Sequence, residues 1–209
     1  MFGRKSPGGL IAYYGLESWW MTRWTGEERT YLARKWDTAS TLGAPPSPLC
    51  TGRPPEGLGR VGADHPGRMI SDLGAMLLQA DEFHLARKLF EDAERTLPAD
   101  DWHNRHFLYN SAGHICYRRR EDTPDGLALA IHYFSEQVAI SEKARQPMIE
   151  LFLTLPGHRG FEQLAIIHAA NGEYAEAIAL CGRAREGGWM GDWDKRIERY
   201  RKAQSKQQA

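Results

Sequence analysis

Net charge is the first thing this sequence lacks. Twenty-seven basic residues meet twenty-seven acidic ones, so no chain-wide field favours nucleic acid or an anionic membrane. Cysteine is scarce as well: Cys50, Cys116 and Cys181 are far apart and show no CxxC spacing. That argues for a reducing compartment, with the thiols acting as small apolar fillers. No apolar run approaches the roughly 20 residues needed to span a bilayer. The opening "MFGRKSPGGLIAYYGLE" has a basic start, but its apolar patch is brief, ends at Glu17 and lacks a small-residue cleavage site, unlike an export signal. The expected location is cytoplasmic. Period-2 alternation is missing, so no strand is expected. Also absent are GxSxG, a P-loop, HExxH and a GxGxxG following a strand. The glycine-rich "GRVGADHPG" sits in a linker with no strand before it. The chain therefore reads as a non-enzyme without a cofactor.

What is present is organised in stretches. Residues 1–12 read as a frayed terminus. Residues 13–37 carry four of the seven tryptophans. Leu16, Trp20 and Trp24 recur every four residues, and Thr25 with Glu28 forms a capping-box signal, so two short helices should meet near Gly26. Residues 38–66 hold six prolines and five glycines, a density of breakers that predicts a long loop. From Gly67 onward the pattern is helical. Interruptions are expected at "REDTPD" (120–125), "RQPMIELFLTLPGH" (145–158) and "GGWMG" (187–191).

Two of the helical blocks share one spacing. Phe83, Ala86, Phe90, Ala93 and Pro98 match Tyr174, Ala177, Cys181, Ala184 and Trp189. Upstream, Ile70, Leu73, Gly74 and Leu77 correspond to Phe161, Leu164, Ala165 and His168. Each block is thus a helical hairpin in which small residues let two helices approach closely. This resembles the tetratricopeptide repeat, over residues 67–100 and 158–191. A weaker copy lies between them, with Tyr109, Ala112, Gly113 and Cys116 on its first helix and Ala130, Phe134 and Gln137 on its second. Cys181, Trp189 and Gln137 depart from the repeat's usual residues. The resemblance implies an all-α solenoid of about three repeats over residues 67–205. Such repeats need capped ends. Residues 192–204, with Asp192 as N-cap and a Trp193–Ile197–Tyr200 stripe, supply one cap. The Trp-rich hairpin is the candidate for the other, its alternative being an exposed aromatic binding patch.

The resemblance also implies a groove, lined by first helices, that holds a protein or peptide partner. On the middle copy the groove residues are Asn110, His114, Tyr117 and Arg118, with Phe107 at the mouth. Arg68 and Ser71 flank them from the first copy, Arg159 and Glu162 from the third. The expected function is a protein–protein interaction adaptor or scaffold. The clamp for a partner's C-terminal carboxylate, found in one subclass, does not carry over, because Ser71 and Ala75 hold its first-repeat positions. His103, His106, Asn110 and His114 are spaced to share one helix face. No carboxylate or thiol completes a zinc set there, and Asp100 or Asp101 is expected to cap the helix instead. His168 reads as a core histidine. The apolar "MIELFLTL" (148–155) reads either as a short helix packed under the third repeat or as a segment occupying the groove. Residues 195–206 hold six basic residues against Glu198. They support an alternative function, nucleic-acid binding by a basic terminal helix.

Overall fold

The computed structural model describes residues 6–38, 47–53, 55 and 65–208. Among these residues the regular elements are all helical, and the one β contact is an isolated bridge between Gly157 and Met190. The chain is all-α. It divides into two compact units, residues 1–97 and 98–209, so a boundary falls inside the stretch expected to be one repeat domain.

The first unit contains α1 (Gly9–Tyr13), α2 (Glu17–Arg23), α3 (Gly26–Asp37), α4 (Pro66–Ala75) and α5 (Phe83–Thr96). The expected capping box opens α3: the Thr25 hydroxyl accepts from Glu28 N–H at 3.2 Å, and Glu28 accepts from Thr25 N–H at 2.7 Å. α4 and α5 pack as a hairpin whose closeness depends on Gly74, where a Cβ would lie 2.9 Å from the Phe90 ring. Ala86 and Ala93 are fully buried.

The frayed terminus is corrected from residue 8 onward. Leu10 and Ile11 are buried, and the N–H groups of Gly8 to Ile11 donate to carbonyls of Pro48, Leu49, Cys50 and Gly52. The part of the Pro/Gly stretch around residues 48–52 therefore serves as a backbone cap for α1. The rest of that stretch, residues 39–46, 54 and 56–64, lies outside the described residues.

Trp20, Trp24 and Trp36 are buried, which favours the structural role for the tryptophan hairpin over a binding patch. Its seating is not purely apolar. The buried Asp92 of α5 accepts from Trp19 Nε1 at 3.0 Å and Arg23 Nε at 2.8 Å, and pairs with Arg95. The buried Glu82 accepts from the Tyr31 hydroxyl, from Lys35 Nζ at 2.5 Å and from Gln79 N–H at 2.7 Å. Burial alone would raise the Glu82 carboxyl, but these donors outweigh it and hold the group below its ordinary 4.5.

The second unit contains α6 (Trp102–Arg118), α7 (Gly126–Ala139), α8 (Ser141–Phe152), α9 (Arg159–Ala170), α10 (Tyr174–Glu186) and α11 (Trp193–Gln207). Three packed pairs form its frame: α6 with α7, α9 with α10, and α10 with α11; α9 also packs on α7. Gly113 plays the part of Gly74, since a Cβ there would stand 2.5 Å from the Phe134 ring. Ala165, Ala177, Cys181 and Ala184 are fully buried, as the shared spacing predicts. Asp101 caps α6, accepting from Asn104 N–H at 3.3 Å. Asp192 precedes α11 without a side-chain cap bond and pairs instead with Arg196 at 2.5 Å.

The interruption expected from residue 145 is corrected. α8 runs through Pro147 to Phe152, because Ala144 and Met148 are buried on either side of the proline and their packing outweighs one lost backbone bond. α8 ends at Leu153, which adopts φ +65° and is 86% exposed.

Candidate functional site

α6 has two unlike sides. Leu108, Tyr109, Ala112, Gly113, Ile115 and Cys116 are buried, whereas Asn110, His114 and Tyr117 are half-buried and Arg118 is exposed. The four predicted groove residues thus share the less buried side, at the helical spacing that brings them into register. Burial, then Arg159 and then Arg118, push the His114 imidazole down from 6.5 to about 4. Arg159 at the start of α9 therefore bears on the same spot as the α6 stripe. Among the described residues no carboxylate pairs with Arg118 or Arg159. Glu162 is compensated: Arg196 holds it at 2.5 Å while also reaching Asp192. The Arg120 guanidinium lies 4.3 Å over the Tyr117 ring. The result is a local excess of positive charge beside an aromatic and an amide, suited to an acid-bearing ligand.

Phe107 meets Phe152 of α8 edge-on at 6.0 Å, and Lys143 of α8 lies 4.5 Å over the Trp102 ring. α8 therefore packs along the first half of α6, beside the predicted mouth, while Leu155, at the end of the same segment, is buried next to Gly188. The two predicted residues of the first unit are placed on α4. Arg68 donates to Asp72 at 2.8 Å. Ser71 is 1% exposed and offers nothing to a ligand, because the α4 stripe that packs on α5 turns it inward.

The histidine series divides. His103 sits 3.3 Å from Asp101, while His106 is buried and separated by its rotation from the solvent side holding His114. Among the described residues no group of three or more His, Cys, Asp or Glu could hold a metal ion. His168 is not a core histidine: it is partly exposed and pairs with Glu173 at 2.6 Å.

A feature missed in the sequence is a buried polar joint where α6, α7 and α9 meet. His106 stacks on Trp189 at 5.3 Å and 4°, and His158 meets the same indole edge-on at 4.6 Å. The two imidazoles are 5.0 Å apart. Gln137 links His106 to the start of α9: its Nε2 lies 3.3 Å from His106 Nε2, and its Oε1 accepts from Gly160 N–H at 2.8 Å. His158 Nδ1 caps α9 by accepting from Phe161 N–H at 3.3 Å. The one available signal was that Gln137 and Trp189 depart from the repeat pattern.

On α11, Lys195, Arg199, Lys202 and Lys206 line one shallow exposed trough with Glu198 and Ala203. Glu198 pairs with Lys202 at 2.7 Å. Among the described residues no helix is long and apolar enough to cross a membrane. No protein-family model matches the chain, and no curated protein or solved structure matches it.

Proposed function

We propose that the chain is a protein–protein interaction adaptor whose hairpins act as tetratricopeptide-like repeats. The less buried side of α6 and the start of α9 receive a partner segment. The observation that carries this reading is the pair of guanidinium groups, Arg118 and Arg159, that bear on His114 and, among the described residues, have no carboxylate of their own. A partner segment bearing Asp or Glu would supply the missing charge through bidentate contacts. Asn110 adds a donor and an acceptor for its backbone, and Tyr117 an anchoring ring. α11 covers α10 as a terminal cap, and the tryptophan hairpin serves the same end for α4 and α5.

Selection of a displayed peptide library on the full chain tests this. Acid-rich segments should be enriched, and Tyr117→Ala or Arg159→Glu should abolish the enrichment with the fold intact. His114→Glu should weaken it too, by placing a carboxylate against both arginines. Enrichment of neutral peptides, or of none, would sink the reading.

A second reading, nucleic-acid binding, is favoured by one observation: the basic trough of α11. It requires binding that falls steeply with salt and is lost in Lys195→Glu or Arg199→Glu. The adaptor reading requires those two variants to bind peptide normally.

A further inference from the structure

Each imidazole of the buried joint has one nitrogen lone pair, and in each that lone pair is already in use. Gln137 Oε1 accepts from Gly160 N–H, so the amide nitrogen of Gln137 must point to His106 Nε2 and donate to it. That puts the single proton of His106 on Nδ1. Phe161 N–H donates to His158 Nδ1, which puts the proton of His158 on Nε2. The remaining ring nitrogens, His106 Nδ1 and His158 Nε2, are buried and have no hydrogen-bond partner among the described residues. A second proton on either ring can therefore land only on the lone pair that holds the joint shut.

We propose that His106 and His158 form an acid-released latch between α6–α7 and α9–α10, in which a proton and the closed joint compete for the same two lone pairs. Protonating His106 sets an imidazolium N–H against the Gln137 N–H. Protonating His158 removes the cap from Phe161 N–H at the start of α9. Neither imidazolium is welcome where it stands. The charged or titratable groups acting on His158 are His106 and, from α10, Arg183, both of the sign that repels a proton; the backbone groups of His158 and Gln137 favour the proton but do not overcome burial, and Trp189 of the α10–α11 turn is neutral. Burial holds His106 down to about 4 and His158 well below 6.5. Because Arg159 follows His158 directly and Phe107 follows His106, opening the latch also shifts residues assigned above to partner binding. That consequence rests on the adaptor reading; the latch itself does not.

The experiment is a pH titration of the full chain by NMR from pH 7.5 to 3.5, following imidazole shifts and the exchange of Gly160 and Phe161 amides. Both rings should report single-proton tautomers, on Nδ1 for His106 and Nε2 for His158. Exchange at the two amides should accelerate about tenfold per pH unit for each proton taken up, beyond its chemical pH dependence. His158→Asn keeps a capping oxygen without an ionisable ring and should lower the pH of opening, and Gln137→Glu, an acceptor-only carboxylate when ionised, should give a protonated His106 a partner inside the closed joint and so remove that ring's share of the acid opening. Imidazoles that titrate near 6.5 with both amides still protected would overturn the latch. So would an opening pH that His158→Asn leaves unmoved, or an amide release that follows carboxylate titration instead. Should the variants fail to fold, the wild-type tautomers and exchange decide alone. Loss of peptide binding in acid without amide release would count against the latch but leave the adaptor standing, and release without any peptide binding would do the reverse.

Discussion

The two units each seat one helical piece on another through buried polar groups, and they do so by opposite means. In the first, Glu82 and Asp92 are buried as charges, surrounded by Lys35, Arg23 and Arg95 together with neutral donors. In the second, His106 and His158 are buried as neutral rings with amide partners. A buried charge is tolerable only when its partners are all present. A buried neutral ring is tolerable as long as it stays neutral. Charged seating is thus vulnerable to loss of a partner, and neutral seating to gain of a proton.

The largest test of that contrast removes the Glu82 carboxylate. Glu82→Ala leaves Lys35, Tyr31 and the Gln79 N–H without their acceptor and should cost about 3–5 kcal/mol in urea unfolding. Protection should disappear from α2 and α3 while the second unit keeps its own. A loss under about 1 kcal/mol would mean that the pairing contributes no more than a surface bridge.

Acid should separate the units next. His106 ionises near 4 in the closed joint against an ordinary 6.5, so the open chain binds more protons between those values. Closed-state stability is complete above 6.5 and drains as pH falls towards 4, by roughly 3 kcal/mol for this ring. Glu82 is held below 4.5, so its contribution is complete above that value and is lost only as pH falls beneath it. Amide exchange should show the second unit loosening first. The reverse order would contradict the assignment of charge states.

A smaller effect compares the hairpins directly. A Cβ at Gly113 would lie 2.5 Å from the Phe134 ring, and one at Gly74 2.9 Å from Phe90. Both Gly→Ala changes should destabilise by about 1–3 kcal/mol in thermal melts, with Gly113→Ala the worse. Smallest is Thr25→Ala, which removes one half of the α3 capping box and should cost about 1 kcal/mol, again in thermal melts.

Helix content and the small-residue contacts were legible because they are periodic: Ala86, Ala93, Ala177 and Ala184 repeat at matched places, and all are buried. The Thr25–Glu28 box was legible because its chemistry is local. Long-range polar pairing was not. Glu82 bonds to Tyr31, and Asp92 to Trp19 and Arg23, and nothing at those positions alone distinguishes them from solvated acids. Of the candidate site, the α6 stripe followed from helix geometry, whereas the inward turn of Ser71 depended on which flank of α4 meets α5. His106 shares its periodic series with the half-buried His114, and only the arrival of Gln137 and Trp189 makes it a core residue. Pro147 misled because a local penalty was weighed without the burial of Ala144 and Met148.

Leu153 holds a left-handed backbone that costs a leucine about 1–2 kcal/mol relative to glycine, and the residue is 86% exposed. Leu153→Gly should therefore raise the melting temperature and the solubility limit together, which makes the end of α8 the place where the protein is most readily improved by design.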